Sequence, residues 1–326
     1  VTRTSGNQGI LRSTGFVNEK NLNNEGTWSL GLLQMDFFYR KRKWYAGQFV
    51  RKITPKIKIS KRSVPFFSTV LNQTKSILLS VLVRNVNNTF KQLKVYLPTK
   101  TGKIDFDFME KFMAELEVTS IEDLKSYLST PELQNYNLTE EEKHVVDNYD
   151  SITYKEFNIV DIFNVKNTSN LLSRDIIENS GNVPYLCASS ENNAVNTYIN
   201  YNTRYLNQGN CVFIGGKTFV VTYQHDDFFS NDSHNIALYL KDHIANRALL
   251  LGLVTCVYKS LSHKYSWGNS ISNAKIKKDT ITLPTKNGKP DFYTLELLSS
   301  AFHKLMIKSV VEYTNRKIAT IKNDYK

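Results

Sequence analysis

Apolar residues toward the C-terminus recur at Leu295, Leu298, Phe302, Leu305, Met306, Val310, Tyr313 and Ile321. Steps of three and four put them on one stripe of a helix, which Asp291 can cap and which the pattern carries to about Lys322. Such a helix spans about 45 Å at about 1.5 Å per residue. "DFDFMEKFMAELE", from Asp105, begins the same way. There the pattern predicts breaks at Thr119-Ser120, at Pro131 and at Asn137, leaving "IEDLKSYLS" and "LTEEEKHVVDNY" as shorter helices. "FNIVDIF", from Phe157, alternates as a strand does, and the opening "VTRTS" also reads as a strand. "ALLLGLVTCVY", between Arg247 and Lys259, is too short for a membrane span of roughly 18 residues and reads as a buried helix.

The pattern occurs twice. "LPTKTGKIDF" at Leu97–Phe106 and "LPTKNGKPDF" at Leu283–Phe292 agree at eight of ten positions. At the same spacing Ser80–Pro98 aligns without gaps to Ser266–Pro284, with Asn87 on Asn273. Thr2–Ile10 aligns to Cys187–Val195, and Asp36-Phe37-Phe38 to Asp227-Phe228-Phe229. Self-similarity in the same order argues for duplication of one α/β unit. Leu-Pro should end the last strand of each unit, Gly-Lys should turn, and Asp105 or Asp291 should start a helix. The second copy opens with a segment, Tyr154–Leu186, that the first lacks, so about 30 further residues are expected ahead of Val1. The organisation predicted is a first unit over 1–104, an acidic helical segment over 105–150, a second unit over 151–290 and a helix over 291–326.

Charge sharpens this division. Residues 1–104 carry 19 Lys/Arg against 3 Asp/Glu; residues 105–150 carry 3 against 13; residues 151–326 carry 20 against 14. A basic unit attracts polyanions, nucleic acid foremost. The three cysteines, Cys187, Cys211 and Cys256, show no disulfide spacing, and with no signal-like opening a reducing cytoplasm is expected.

Catalytic motifs do not emerge. There is no Gly-rich phosphate loop, no Asp/Asn-Pro-Pro-aromatic methyltransferase motif, and "KPDF" at Lys289–Phe292 lacks a following Glu-x-Lys. His225, Asp226, Asp227 and His234 hint at a metal, but the first copy has Gln34-Met35-Asp36 in that place and the expectation is no metal. Two rival readings stay open: a stand-alone nuclease or DNA-modification enzyme with an unrecognised site, and an interaction protein working through its helices.

Phe37–Arg62 holds ten Lys/Arg and no acid. Arg40, Lys41, Arg42 and Lys43 stand beside Trp44, with Lys56, Lys58 and Arg62 further on; cations bind phosphates and arginine reads guanine, while aromatics stack on sugars or bases. Trp44 as a core residue is the alternative. The second copy places "FFSNDSHNIALYLKDH" there, offering Asn231, Ser233 and His234 as base readers. The polar turns Ser5–Gly9 and Ser190–Ala194 add Asn7, Gln8, Asn192 and Asn193, with Arg3 just upstream; a plain strand-linking turn is the alternative.

Taken in order, "GNVPYLCASSENNAV", "FF" after a strand, and "TITLPTKNGKPDFYTLELL" into a long helix resemble the specificity subunit of type I restriction–modification systems and their type IIB relatives. The resemblance covers nearly the whole chain, twice. It implies two α/β (α+β) target recognition domains, each reading half of a split double-stranded DNA target. Their helices would form a coiled-coil-like spacer about a pseudo-twofold axis, with Phe108 and Phe112 facing Leu295, Leu298, Phe302 and Leu305. It further implies DNA adenine methyltransferase subunits and a restriction subunit or nuclease domain as partners, and no cofactor of the chain's own: S-adenosylmethionine, Mg and ATP would belong to those partners.

Overall fold

The computed structural model describes residues 1–324, and side chains for all of these but residue 132 and 321–324, so Ile321 of the C-terminal stripe lies outside the described side chains. The chain forms two compact units: residues 1–127 with the helical turns from Tyr313 onward, and residues 128–312.

The first unit runs β1 (Leu22–Asn23), β2 (Thr27–Gly31), β3 (Phe37–Arg40), β4 (Trp44–Tyr45), β5 (Val50–Ile53), α1 (Val64–Gln73), α2 (Lys75–Leu79), α3 (Val86–Gln92), the small hairpin β6 (Thr99–Lys100) and β7 (Lys103–Ile104), then α4 (Phe106–Leu128). β2 is the middle of an antiparallel sheet ordered β3-β2-β5, and β1 pairs with β4. Trp28, Leu30 and Phe37 from this sheet pack with Phe67, Leu78 and Val86 from the helices and Met109 of α4.

The second unit adds α5 (Pro131–Gln134), α6 (Glu140–Asp147), β8 (Tyr154–Asn158), α7 (Ile159–Ile162), β9 (Phe163–Asn167), β10 (Val183–Leu186), β11 (Val195–Ile199), β12 (Cys211–Gly215), β13 (Val220–Gln224), β14 (Phe229–Ser230), β15 (Ile236–Leu240), α8 (Arg247–Leu261), α9 (Asn273–Ile276), β16 (Thr280–Lys286), β17 (Lys289–Pro290) and α10 (Phe292–Asp324). Its sheets are ordered β13-β12-β15-β9, β11-β10-β14 and β17-β16-β8. The apolar run around Leu250 is α8, buried against β12, β13 and β16 as expected.

Hydrogen-bond register proves the duplication and corrects its alignment. Thr27 faces Arg40 and Leu30 faces Phe37 across β2–β3, as Cys211 faces Gln224 and Ile214 faces Val221 across β12–β13. Asn23 faces Trp44, as Asn207 faces Phe228. Phe37 therefore corresponds to Val221, and Phe228 to Trp44, so the two Asp-Phe-Phe triplets are not equivalent. The match of Thr2–Ile10 to Cys187–Val195 holds: Thr2 N donates to Gly9 O at 2.7 Å and Cys187 N to Ala194 O at 2.9 Å. A Cβ on Gly31 would press within 2.9 Å of the Arg3 backbone, and one on Gly215 within 2.9 Å of the Ala188 backbone.

Several expected elements differ. "VTRTS" is not a strand; its residues lead into a tight turn at Gly6–Gly9. "FNIVDIF" is two strands split by the single helical turn α7. α4 continues through Thr119-Ser120, whose hydroxyls donate back to the carbonyls of Glu115 and Leu116 at 3.0 and 2.9 Å rather than breaking the helix. Leu-Pro does not end the strand in the second unit, since β16 runs through Pro284. The turns are Thr101-Gly102 and Asn287-Gly288, each pair at positive φ. Asp105 and Asp291 do cap their helices, accepting from Phe108 N at 2.9 Å and Thr294 N at 3.0 Å.

Ser80–Pro98 and Ser266–Pro284 share the short helices α3 and α9, then part. β16 pairs along its length with β8. In the first unit residues 93–98 form no strand, and Tyr96 stands 95% exposed.

Candidate nucleic-acid interface

In the first unit the β3–β4 connection forms the basic tip. Lys41, Arg42 and Lys43 are exposed. Arg40 is not: it is 5% exposed. Its Nε donates to Ser29 Oγ at 2.9 Å and its Nη2 to Gln8 O at 2.6 Å, with the guanidinium over the rings of Phe38 and Trp44. Alternation along β3 puts Arg40 on the sheet face opposite Phe37 and Tyr39, where Ser29, Trp44 and the Ser5–Gly9 turn cover it, so its charge holds that turn instead of facing a ligand; this corrects its place beside the other three cations. Burial lowers its guanidinium pKa. Trp44 is buried, and its Nε1–H donates to Thr27 Oγ1 at 3.1 Å.

Asn7 and Gln8 are exposed on that turn, both at positive φ, and Asn7 Nδ2 donates to Ile10 O at 3.0 Å. The structure thus joins Asn7 and Gln8 to the 41–43 tip. Arg3 lies apart, its guanidinium 5.4 Å from the Phe49 ring centre. Lys56 and Lys58 are exposed on the segment after β5. Arg62, with Lys41 and Lys61, borders a cavity of about 560 Å³ that Glu110 and Glu117 of α4 also line. Arg12, which sequence reasoning passed over, lines with Tyr45 a second cavity of about 810 Å³ beside the tip. Tyr45 Oη anchors the 10–18 segment by accepting from Val17 N at 2.9 Å. The counterparts of residues 10–14 are β11, which pairs with β10.

In the second unit the same tip reads His225-Asp226-Asp227. His225 Nδ1 lies 2.6 Å from Asp226 Oδ1, and Asp227 accepts from Gly209 N at 2.7 Å. These adjacent residues can meet because they lie beyond the end of β13, where strand alternation no longer separates them. Asn192, Asn193 and Ala194 all take positive φ, as Asn7, Gln8 and Gly9 do. Gln224, the counterpart of Arg40, donates from Nε2 to Asn193 O at 2.9 Å. Arg40 and Gln224 thus make the same hydrogen bond to the same carbonyl of the same turn.

Asn231, Ser233 and His234 stand at the other end of the β12–β13 hairpin. There Gly216 N donates to Asn235 Oδ1 at 3.0 Å. The structure does not bring them together with Asn192 and Asn193. Lys217 of the β12–β13 turn, which pattern reading missed, stands beside Asp232 of this loop; in a run such as "SNDSHN" nothing separates inward from outward polar residues.

The expected seam of helical residues is divided. Leu295 belongs to the second unit's core, against Gly252 of α8, and Leu298 is buried there. Phe302 meets Tyr149 edge-on at 6.0 Å and Leu305 is half-buried. Phe108 stacks on Phe112, which meets Phe66 edge-on at 6.2 Å, while Met109 enters the first core. α10 is tied to α6 by a buried cluster. Glu142 accepts from Ser300 Oγ at 2.6 Å and Lys304 Nζ at 2.8 Å, and closes a capping box with Thr139.

One hairpin scaffold used twice, with register kept and tips changed, is the build of a two-site recognition protein. The chain belongs to the family of the type I restriction modification DNA specificity domain, which it matches over residues 1–126 and 151–313. It is 23% identical over 264 residues to the Type II restriction enzyme BgcI specificity subunit S.BcgI of Heyndrickxia coagulans, across 79% of this chain and 72% of that protein. Among solved structures it is similar to the type I restriction-modification S subunit from M. genitalium (TM-score 0.48, 13% identity, 96% of this chain and 84% of that one). The HsdS subunit from Thermoanaerobacter tengcongensis is a further match (TM-score 0.34, 10% identity, 94% and 77%). Among the described residues no helix is long and apolar enough to cross a membrane.

Proposed function

We propose that this chain is the DNA-reading subunit of a restriction–modification complex and carries no active site of its own. Each α/β unit reads one half of a bipartite double-stranded target. The observation that carries this is the preserved register of β2–β3 and β12–β13 beneath tips of different chemistry, Lys41-Arg42-Lys43 and His225-Asp226-Asp227. A fixed scaffold with a variable edge separates positioning from specificity, as sequence readers require.

In this reading α4 and α10 serve as the spacer that sets half-site separation and seats DNA adenine methyltransferase subunits. S-adenosylmethionine, Mg and ATP act in the partner subunits, and the complex works in the cytoplasm. Lys41, Arg42 and Lys43 neutralise phosphates, releasing counterions. Mapping of methylated adenines in cells with and without the protein tests the reading. A split motif that disappears with the protein supports it; cleavage or methylation by the purified chain alone overturns it in favour of an enzyme.

A further inference from the structure

The loop after β14 is organised by a buried polar network. Ser230, Asn235 and Thr168 are at most 4% exposed. Thr168 Oγ1 lies 2.8 Å from Ser230 Oγ, and Thr168 N donates to Asn235 O at 3.0 Å. The decisive contact is Gly216 N to Asn235 Oδ1. A backbone N–H only donates, so the Asn235 atom facing it must be the oxygen. The Asn235 amide nitrogen is thereby turned to Ser230 Oγ at 3.0 Å and Asn231 Oδ1 at 3.1 Å. Asn231 must then present its own oxygen inward. Its Nδ2 has no partner among the described residues and is what remains for a ligand.

The neighbouring carboxylate is turned inward too. Asp232 Oδ1 accepts from His234 N at 2.9 Å and lies 2.7 Å from His234 Nδ1. Its Oδ2 lies 3.2 Å from Lys217 Nζ, and Lys217 keeps 59% of its side chain exposed. Burial works against the charged carboxylate, but the bonds from His234 and Lys217 hold its pKa below the usual value. Gly216 lets the loop lie close: a Cβ there would sit 2.4 Å from His234 O. Asn231 and Lys217 therefore offer hydrogen-bond donors at this edge, an amide NH₂ and an ammonium.

Building on the DNA-recognition reading, we propose that Asn231 and Lys217 read the paired acceptors of a guanine, O6 and N7, in the second half-site, with Asn235 as the positioning residue. Adenine, which an asparagine reads by accepting from N6 while donating to N7, is disfavoured because Asn231 Oδ1 faces inward. This narrows the general expectation that an asparagine here reads adenine.

The test is selection from randomised duplex DNA by the full chain in its assembled complex. Wild type should select guanine at one position of the second half-site. Asn231→Asp, which exchanges the outward donor for an acceptor in the same shape, should lower that preference about 5- to 150-fold and favour a base offering an amine there. Asn235→Ala should broaden the same position to admit adenine. Should Asn235→Ala not fold, Asn231→Asp, at a half-buried position whose inward oxygen is kept, still decides. An Asn231→Asp protein that selects the wild-type sequence overturns the proposal, and so does one that binds every sequence more weakly by the same factor, as removal of a phosphate-binding group would. A wild-type protein that selects no sequence overturns the DNA-recognition reading itself, and this inference with it.

Discussion

The β3–β4 tip of the first unit and its counterpart after β13 share a backbone and little else. Lys41-Arg42-Lys43 occupies the place of His225-Asp226-Asp227, so three cations stand where the second unit has two carboxylates and a histidine. Beneath both, the strands pair residue for residue and an inward side chain, Arg40 or Gln224, donates to the turn carbonyl of Gln8 or Asn193. Register is held by buried residues and paired backbone groups, which tolerate little change; a solvated tip has no such constraint. The two units should accordingly differ in what they touch and agree in how they stand.

The strongest challenge to that comparison is to move one tip onto the other. Lys41→His, Arg42→Asp and Lys43→Asp together should flatten the slope of log affinity against log salt by up to about 2.7, at about 0.9 for each phosphate no longer neutralised. An unchanged slope in titrations from low to physiological salt would place the first unit's DNA-binding face elsewhere. Arg40, being internal, should not add to this slope change.

Next in size is Glu142, which is 3% exposed and joins α6 to α10. Glu142→Ala leaves Lys304 without its carboxylate partner and removes half of the capping box, at a cost of about 3 kcal/mol by chemical denaturation. Its pKa is a balance: burial raises it, but bonds from Lys304, Ser300 and Thr139 together with the Lys304 charge hold it below its usual 4.5. A depressed acid stabilises the fold above its unfolded pKa and loses that contribution as pH falls through the folded value. Stability should therefore decline below about pH 4.5, and Glu142→Gln should lessen the decline in a pH series of unfolding midpoints.

Arg40 and Gln224 allow a gentler exchange. Arg40→Ala strips donors from Ser29 and Gln8 and should cost about 2 kcal/mol. Arg40→Gln, borrowing the second unit's solution, should recover about half of that; equal losses would mean that the two side chains do different jobs.

The smallest expected effect is at the third turn residue. Ala194 is buried at φ 68°, where Gly9 sits at φ 71° in the first unit. Relief of about 1 kcal/mol of left-handed strain in Ala194→Gly is offset by about 0.8 kcal/mol for the missing methyl, so stability should barely move. Gly9→Ala should cost more, since its Cβ would lie 2.9 Å from Thr2 O. Thermal melts of the pair measure the difference.

Much of this was legible in the chain itself. The duplication, the capped helices at Asp105 and Asp291, the buried α8 and the basic first unit all follow from local pattern. Helix periodicity, capping and charge act over a few residues and leave their mark there. The candidate site was legible only in part: Lys41–Lys43 and the turns with Asn7, Gln8, Asn192 and Asn193 stood out as polar clusters. Pattern could not show that Arg40 faces inward, nor that Asn235 fixes which end of Asn231 faces out.

By itself the sequence determined that one unit is used twice, where its helices begin and which unit is cationic. Only the tertiary structure decided the register, with Phe37 matching Val221 rather than Phe228. It also decided that Leu295 serves the core against α8 rather than a seam, and that β16 pairs with β8. These turn on partners far away along the chain. A strand needs another strand's carbonyls, and a side chain's direction depends on what fills the space beside it; neither is encoded within the few residues that a pattern can read.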